Sequence, residues 1–511
     1  MKNKYKILVF AFTLILCVNC TQDLLTTNPT DRISVDYFWS QEKDAVLAVN
    51  ACYPSLGVFR IFGFEGCSDN ATTAKTWTDS YEIANSSFNS SWPWVSQAWA
   101  DAYKGIGRAN DVIENIDKIQ NIDESLKNRL KGEALFFRAF LYNILINLYG
   151  DVPYVNKPIL LIDESKLPRE SKDIILSNII KDLDKAYEYL PQKYDNNNIG
   201  RVTKGAAMAL KARALLWQNK FKEARDAAKA VIDLGEYRLY SDFSKLFTYA
   251  TENNEEIILD EQFMPALRMH NSFENLAPRS SQGLSNYVPT RSIVDAYEKN
   301  DPRQHSTILF PMEVNPWLDG NFIFNPTPGS GTIDEVAVSY HATITGYHFK
   351  KYVLKEDAKF PTRCSINLVH IRYADVLLMF AEAENEINGP TNDAYSSINQ
   401  IRARARGLNS TTLPDLKDLT KDQLRDAIRN ERRVELAGEG LRYFDLLRWK
   451  TAEIALVGIV QGMDYTDPIT GQQKTVTAEK RTFNKDRNYL WPIPQSELRL
   501  NPNLGSQNPG Y

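Results

Sequence analysis

Cysteine and histidine are scarce in this sequence, with five of each among 511 residues. No histidine has a second histidine three or four residues away. Zinc sites usually show such spacing, together with Cys or acidic partners. The sequence also lacks a G-x-S-x-G nucleophile motif, a phosphate-binding loop and a dinucleotide fingerprint. We therefore predict no metal site, no cofactor and no catalytic residues.

An excess of basic charge is missing as well. The 60 Lys and Arg residues are balanced by 64 Asp and Glu, a net charge of −4 at pH 7. A general nucleic-acid binder carries clustered basic residues, so we predict no nucleic-acid partner. Hydrophobic residues make up 43% of the chain and aromatic residues 11%. That composition excludes a disordered protein and supports a large core.

Only one long apolar run occurs, and it lies at the amino terminus. Lys2, Lys4 and Lys6 precede the run from Ile7 to Leu16, which is too short to span a bilayer but fits a signal peptide. Cys17 and Cys20 follow. Cys20 is the better candidate for lipidation, since bulky Leu16 precedes Cys17 directly. We predict a lipoprotein signal peptide over 1–19 and a lipid anchor at Cys20, with an ordinary cleaved signal as the alternative.

Three cysteines remain in the predicted mature chain: Cys52, Cys67 and Cys364. Export places them in an oxidising compartment, where a disulfide between Cys52 and Cys67 is one possibility. The alternative is three buried, unpaired thiols.

Apolar residues at helical spacing dominate the rest of the chain. A stripe from Leu126 to Leu148 predicts one long helix that ends at Gly150. Stripes over 206–217 and 221–231 predict a helical hairpin rich in alanine, and 371–381 with 394–405 predicts another. Such pairs resemble tetratricopeptide repeats. The predicted fold class is therefore all-α, a scaffold of tetratricopeptide-like helix pairs.

Three segments, 64–97, 262–350 and 458–511, have no helical period and are rich in turn-forming and aromatic residues. They are too aromatic for disordered linkers. Long ordered loops on a rigid scaffold usually carry function. We predict that irregular loops form a ligand face on the scaffold, within a single unit over 20–511. That unit has a helical part over 20–250 and a loop-rich part over 251–511.

Three long motifs in the carboxy-terminal half carry a family resemblance. They are Ile371–Leu378 with Ala381–Ala383, Glu431–Trp449, and Leu490–Glu497 followed by Asn501–Leu504 and Gln507–Tyr511. Asp23-Leu24-Leu25 and Pro29 look like the start of a mature member. The chain resembles the SusD/RagB family along nearly its whole length.

The resemblance implies a function. Members are outer-membrane lipoproteins of the Bacteroidetes type, face the cell surface and bind nutrients, usually oligosaccharides. They sit on a TonB-dependent, SusC-like transporter and are not hydrolases. We therefore expect a glycan-binding lipoprotein that delivers its ligand to such a transporter. The alternatives are the same device binding peptides or glycopeptides, a protein–protein scaffold, and a secreted glycoside hydrolase.

Glu431, Glu435 and Glu439 lie four residues apart, on one face of a predicted helix. A glycosidase pair would flank a cleft, at a separation set by its mechanism. Acids interleaved with arginines on one helix more often form ion pairs between packed helices. We predict ion pairs here and no chemistry.

Sugar rings offer apolar faces and a rim of hydroxyls, so exposed aromatic side chains near polar groups are the expected ligand contacts. Two of the loop segments contain such residues. The candidates are Asp69, Trp77, Tyr81, Trp92 and Trp94 in the first, and Tyr287, Arg291, Trp317 and Tyr340 in the second.

Several candidates also have a structural interpretation. Trp92 and Trp94 flank Pro93 and could pack on a helix, and Asp69 could brace its loop. Trp317 lies between Asn315-Pro316 and Asp319-Gly320, a turn pattern expected to present it outward. Trp217, Trp449 and Trp491 lie in helix or motif sequence and are expected in the core.

Overall fold

Helices form most of the structure, a computed structural model that describes residues 38–511 except 74 and 408–410. The predicted signal peptide and Cys20 lie outside the described residues. The α-helices are α1 Glu42–Asn50, α2 Ile61–Gly66, α3 Tyr81–Ala84, α4 Pro93–Asn115, α5 Glu124–Tyr149, α6 Lys172–Tyr189, α7 Lys204–Trp217, α8 Phe221–Asp233, α9 Ser272–Leu276, α10 Arg291–Ala296, α11 Pro302–Thr307, α12 Tyr373–Asn388, α13 Asn392–Arg406, α14 Lys421–Glu435, α15 Arg442–Arg448, α16 Ala452–Ala455 and α17 Gln495–Leu500.

The long helices pack in chain order. Each of α4 to α7 packs on the next, α8 packs on α12, and α12 packs on both α13 and α14. The predicted stripe over 126–148 is helix α5, which starts at an Asp123 cap and ends at Gly150, where φ is +75°. An aspartate cap and a glycine with positive φ are common signals for the two ends of a helix.

Both predicted helical hairpins are confirmed as helix pairs: α7 with α8, and α12 with α13. Thr203 caps the amino terminus of α7, and Thr391 caps the amino terminus of α13. Asn219, with φ of 57°, makes the tight turn between α7 and α8. The all-α scaffold is therefore confirmed, while its likeness to tetratricopeptide repeats stays a prediction.

The described strands form small antiparallel pairs. The strands are β1 Ala71–Thr72, β2 Ile257–Glu261, β3 Val288–Pro289, β4 Ile308–Leu309, β5 His348–Phe349, β6 Leu368–Arg372, β7 Gly458–Thr466 and β8 Gln473–Arg481. β1 pairs with β3, β2 with β6, β4 with β5, and β7 with β8. The β1–β3 pair joins the two predicted ligand loops, with Ala71 opposite Pro289 and Thr72 opposite Val288.

The segment 458–511 is less irregular than expected, because 458–481 forms the β7–β8 hairpin. Its turn follows Asp467-Pro468, and Asp467 Oδ1 accepts the amides of Ile469 and Thr470. Aspartate and proline are turn formers of this kind, so the hairpin had a local signal that helical periodicity does not detect.

One large apolar core contains residues from both halves of the chain. Trp491 and Trp217 are buried in it, as expected, with Trp217 stacked on Phe444 at 4.6 Å between ring centroids. Trp449 is half-buried, and its Nε1 donates to Glu382 at 2.8 Å. The proposed disulfide is wrong: Cys52 and Cys67 are free and buried. The alternative, buried thiols, is confirmed for both and for Cys364.

The stretch Glu42–Gly66 is apolar enough by composition to cross a membrane. It consists of α1, a 3₁₀ helix over Tyr53–Val58, and α2. Ala45, Val49 and Phe64 from this stretch are buried in the core.

The three motif glutamates form buried ion pairs, as predicted. Arg303 contacts Glu431 at 2.5 Å and Glu435 at 2.9 Å, and Arg372 contacts Glu435 at 2.6 Å and Glu439 at 2.8 Å. All five side chains are almost inaccessible to solvent. Burial alone would raise the pKa of Glu435, but Arg404, Arg372 and Arg303 outweigh it and hold that pKa far below its usual range. We call these five residues the motif network.

A second buried group of charges links the other motif residues. Asp375 of α12 contacts Arg213 of α7 at 2.7 Å and Arg432 of α14 at 2.8 Å. Arg448 of α15 contacts Glu382 at 2.6 Å. These contacts hold four helices together, and the charges that form them are buried.

Candidate ligand-binding site

Two exposed aromatic rings, one from each predicted loop, meet at the surface. Trp77 is 41% exposed and Tyr340 is 57% exposed. Their ring centroids lie 4.0 Å apart and their planes are inclined by 50°. Exposed ring clusters are unfavourable in water unless a ligand or partner uses them. We call Trp77 and Tyr340 the ring pair.

A buried lysine fastens the two loops beneath the ring pair. Lys75 Nζ donates to the backbone carbonyl of Tyr340 and, at 3.1 Å, to that of Ala342. The same Nζ lies 5.8 Å from the Trp77 ring centroid and 5.5 Å from that of Tyr340. Burial lowers the pKa of Lys75 to about 8. We call these two hydrogen bonds the Lys75 clamp. The clamp fixes the ring pair in place through backbone contacts, which need no particular side chain at 340 or 342.

The first loop is also held where it leaves α2. Thr290 donates its amide to Asn70 O at 2.9 Å and its hydroxyl to Asp69 O at 2.6 Å. The buried Arg481 guanidinium donates to the carbonyls of Ser68 at 2.6 Å and Ala71 at 3.1 Å. The loop is therefore a rigid support and not a free chain.

Asp69 braces this loop. Arg442 donates to both of its carboxylate oxygens, at 2.8 and 3.0 Å, and Arg433 lies 3.0 Å away. Burial raises the pKa of Asp69, but the two guanidinium groups outweigh it and lower that pKa below its usual value. The contacts match the bracing interpretation, since both oxygens already have partners.

Arg291 also has acidic partners. Its guanidinium contacts Asp295 at 3.0 Å and Asp464 of the hairpin at 2.5 Å. It lines a depression of about 190 Å³ together with Asp69 and Gln461. A small polar pocket of this kind could hold one hydroxyl-bearing group beside the ring pair's loops.

Trp317 is not presented outward, so that expectation is wrong. The residue is 4% exposed, and its Nε1 donates to Val353 O at 2.9 Å. Its ring packs in a small core with Phe273 and Phe324. Asn315 Oδ1 accepts the Trp317 amide at 3.0 Å, so the turn signal was real but directs the indole inward.

Trp94 is likewise unavailable to a ligand. It is completely buried, with ring centroids 4.9 Å from Phe64 and 5.2 Å from Trp491. Trp92 is half-buried and donates its Nε1 to Asp79 O at 2.9 Å. The alternative interpretation, packing on the helix that begins at Pro93, describes both residues.

Tyr81 and Tyr287 are half-buried. Tyr287 packs against Gly66, where an added Cβ would come within 2.8 Å of its ring. Burial raises the pKa of the Tyr287 hydroxyl. Among the described residues, the ring partners of Trp77 are Tyr340 and His341, and neither Tyr81 nor Tyr287 is one of them.

Sequence reasoning missed Lys75, although it lies two residues before Trp77. A lysine among threonines has no distinctive pattern, and only the folded structure places its amine under Tyr340. Among the described residues, no group of three or more His, Cys, Asp or Glu side chains is arranged to hold a metal ion.

A larger surface cavity lies elsewhere. A groove of about 760 Å³ is lined by residues of α4, α17 and the 153–166 segment, including Trp99, Tyr103, Ile159, Ile162 and Leu500. Its lining is mainly apolar, which suits hydroxyl-rich sugars poorly. We call it the apolar groove and favour the ring pair as the ligand site.

The fold is a helical scaffold with long loops, and two of these loops bring the exposed ring pair together. Residues 234–511 match the model of the SusD family, and residues 59–216 match a family described as "Starch-binding associating with outer membrane". The first match spans more than half of the chain, so the chain belongs to the SusD family.

Individual relatives agree. The SusD-like protein P25 of Formosa agariphila is 28% identical, and the alignment covers 99% of both chains. A SusD-like protein of Bacteroides fragilis has the same fold with a TM-score of 0.83 and 28% identity, over 95% of this chain and 100% of that one. A SusD-like carbohydrate-binding protein of the same species gives 0.82 and 25%, over 92% and 100%.

Proposed function

We propose that this protein binds glycans and that Trp77 and Tyr340 contact the sugar. The exposed ring pair is the observation that carries the proposal. Flat rings cover the C–H faces of sugars, and the pair is held by Lys75 in an ordered position. The carbohydrate binding named for the similar Bacteroides fragilis protein supports the same conclusion.

We infer binding without cleavage. Hydrolysis needs a pair of carboxyl groups flanking the substrate. Glu431, Glu435 and Glu439 are committed to buried ion pairs, and Asp69 has both oxygens bound by arginine. Asp79, two residues after Trp77, contacts Arg60.

We also infer that a lipid at Cys20 tethers the mature protein to the outer membrane, facing outward, and that ligand passes to a SusC-like TonB-dependent transporter. The amino-terminal sequence and the outer-membrane association named for the matching family support this. The exposed aliphatic side chains of Leu160, Leu161 and Ile162 offer a surface for a protein contact.

The lipid anchor can be tested by metabolic labelling with palmitate in a native-type host. Labelling should occur in the wild type and disappear in Cys20→Ser. Cross-linking in intact outer membranes, followed by mass spectrometry, should join the 159–162 segment to a TonB-dependent transporter. An unlabelled wild-type protein would contradict the anchor.

Glycan binding is tested by isothermal titration of the mature chain, residues 20–511 with Cys20→Ser for solubility. A panel of plant, host and microbial polysaccharides is the ligand set, and the same samples are assayed for new reducing ends. Heat with one glycan class, no reducing ends, and loss of heat in Trp77→Ala support the proposal. Phe360→Ala removes a comparably exposed ring and is the matched control.

Peptides or glycopeptides are the second candidate cargo. A peptide ligand would need hydrogen-bond partners for its backbone, whereas the ring pair offers flat apolar faces. Binding of a peptide library in place of the polysaccharides would reverse the order of the two candidates.

A further inference from the structure

Lys75 differs from the other buried basic residues of this protein. It is 3% exposed, and among the described residues no carboxylate lies within 4.0 Å of its amine. Each of the other buried lysines and arginines in the described chain has such a carboxylate. These are Arg138, Arg213, Arg303, Lys351, Arg372, Arg402, Arg432, Arg448 and Arg481.

The missing partner is costly in this setting. A buried ammonium normally pairs with an acid, as Lys351 does with Glu439 at 2.9 Å. Lys75 has instead two backbone carbonyls and the faces of the ring pair. Its positive charge therefore lies directly beneath the proposed sugar contacts without compensation from the protein.

Two other basic groups lie near the same rings and have no carboxylate within 4.0 Å among the described residues. Arg279 donates to Ser339 Oγ at 2.5 Å, next to Tyr340. Asp334 attracts Arg279 electrostatically but makes no contact with it within 4.0 Å. His341 lies 6.1 Å from Trp77 between ring centroids, and its buried Nδ1 has no hydrogen-bond partner. The nearby acid Asp79 is occupied by Arg60.

We propose that the ligand is an acidic glycan. Its carboxylate or sulfate group lies beside the ring pair and compensates the positive charges of Lys75 and Arg279. This rests on the proposed function, and it adds the chemical class of the sugar. Stacking on Trp77 and Tyr340 would fix the ring of the sugar, and the anionic substituent would select it over neutral sugars.

Binding should then be coupled to a proton. The pKa of Lys75 is lowered to about 8 by burial, and a bound anion opposes that shift, so the amine takes up protons on binding near pH 8. The titratable groups that face Lys75 are His341, His348 and the Tyr340 hydroxyl. His348 is neutral at that pH, because burial lowers its pKa to about 4.

The test is a titration of the mature chain with matched ligand pairs at low and high salt. The acidic probes are polygalacturonate, alginate and carrageenan, and each is compared with its own carboxyl-reduced or desulfated product. The acidic form should bind at least about tenfold tighter than its neutral product, as expected for one charge-assisted contact. If affinity differs between a carboxylated probe and its reduced product, the site recognises carboxylate. If it differs between carrageenan and its desulfated product, the site recognises sulfate.

Two variants separate charge from loop structure. Lys75→Met removes the charge and the clamp, whereas Arg279→Gln removes a charge and keeps the clamp. Both should reduce the preference for the acidic probe, and both should keep the wild-type circular dichroism spectrum. Titration at pH 8 in buffers of different ionisation enthalpy should show proton uptake in the wild type and less in Lys75→Met.

The outcomes distinguish this inference from the proposed function. A neutral glycan that binds through Trp77 with no preference for the acidic form would overturn the inference and leave glycan binding intact. If none of the acidic or neutral glycans binds, the proposed function fails and the inference fails with it.

Discussion

The motif network and the ring pair are opposites in the same molecule. The network is charged and buried, and all its members except Arg303 belong to the sequence motifs that identify the family. The ring pair is aromatic, exposed and lies in loops with no recognisable motif. Removing one partner of a buried ion pair is strongly destabilising, so the network tolerates little change. A surface ring has no such constraint. The motifs therefore identify the scaffold, and we propose that the loops select the ligand.

The largest effect should come from breaking the motif network. Glu435→Gln leaves Arg303, Arg372 and Arg404 without their shared carboxylate. We expect the free energy of unfolding to fall by about 3–5 kcal/mol, the usual cost of removing one buried partner. Urea denaturation followed by circular dichroism measures it. Asp233→Asn, which breaks an exposed pair with Lys229, is the control and should cost at most about 0.5 kcal/mol.

Trp317 and Trp77 were both predicted from the sequence as ligand contacts, but their substitution should have clearly different effects on stability. Trp317→Ala should lower the free energy of unfolding by about 3 kcal/mol or more, since it empties a buried site. Trp77→Ala removes an exposed ring and should change it by at most about 0.5 kcal/mol. Thermal and urea unfolding of both variants check this. Equal losses of stability would contradict the assignment of one ring to the core and the other to the surface.

Acid should destabilise the fold by protonating buried carboxylates, whereas the ring pair carries no carboxylate. Burial opposes ionisation of Asp375, but Arg213 and Arg432 lower its pKa to about 2. A carboxylate with a depressed folded pKa contributes stability above its unfolded pKa of about 4, and that stability is lost as pH falls towards 2.

We therefore expect about 2 kcal/mol of stability to disappear between pH 4 and pH 2 through this group. Denaturation at each pH measures it, and Asp375→Asn should flatten the profile in this window. A stability that rises below pH 4 would contradict the ion-pair assignment.

The smallest effect concerns the thiols. Because Cys52 and Cys67 are free, a reductant should leave the melting temperature of the mature chain unchanged. A disulfide would be worth about 2–4 kcal/mol, so its reduction would be easy to detect. A fall in melting temperature with reductant would show that the two residues are bonded after all.

Much of the scaffold could be predicted from local signals. The stripe ending at Gly150 and the alanine-rich hairpin around Asn219 have their causes within a few turns of chain. The spacing of the glutamates is also local, although their arginine partners are remote in sequence. Trp317 and Trp77 could not be told apart in the same way. The Trp317 indole donates to Val353 O, and the Trp77 indole contacts the Tyr340 ring. Both partners are remote in sequence.

Only part of the candidate site could be predicted, because its contacts are also remote in sequence. Trp77 and Tyr340 were both expected as ligand contacts, but the sequence contains no sign that they touch. Their contact depends on the β1–β3 pairing and on the Lys75 clamp, which are non-local. Turn signals predict where a chain reverses, not which way an aromatic side chain points.

The central claim is that the ligand touches the ring pair, and fluorine NMR tests it most directly. The mature chain is labelled with 5-fluorotryptophan, and Trp77→Phe, Trp317→Phe and Trp99→Phe assign the three resonances. On addition of the bound glycan, the Trp77 resonance should shift while Trp317 and Trp99 stay unchanged. A shift of Trp99, which lines the apolar groove, with Trp77 unchanged would contradict the account.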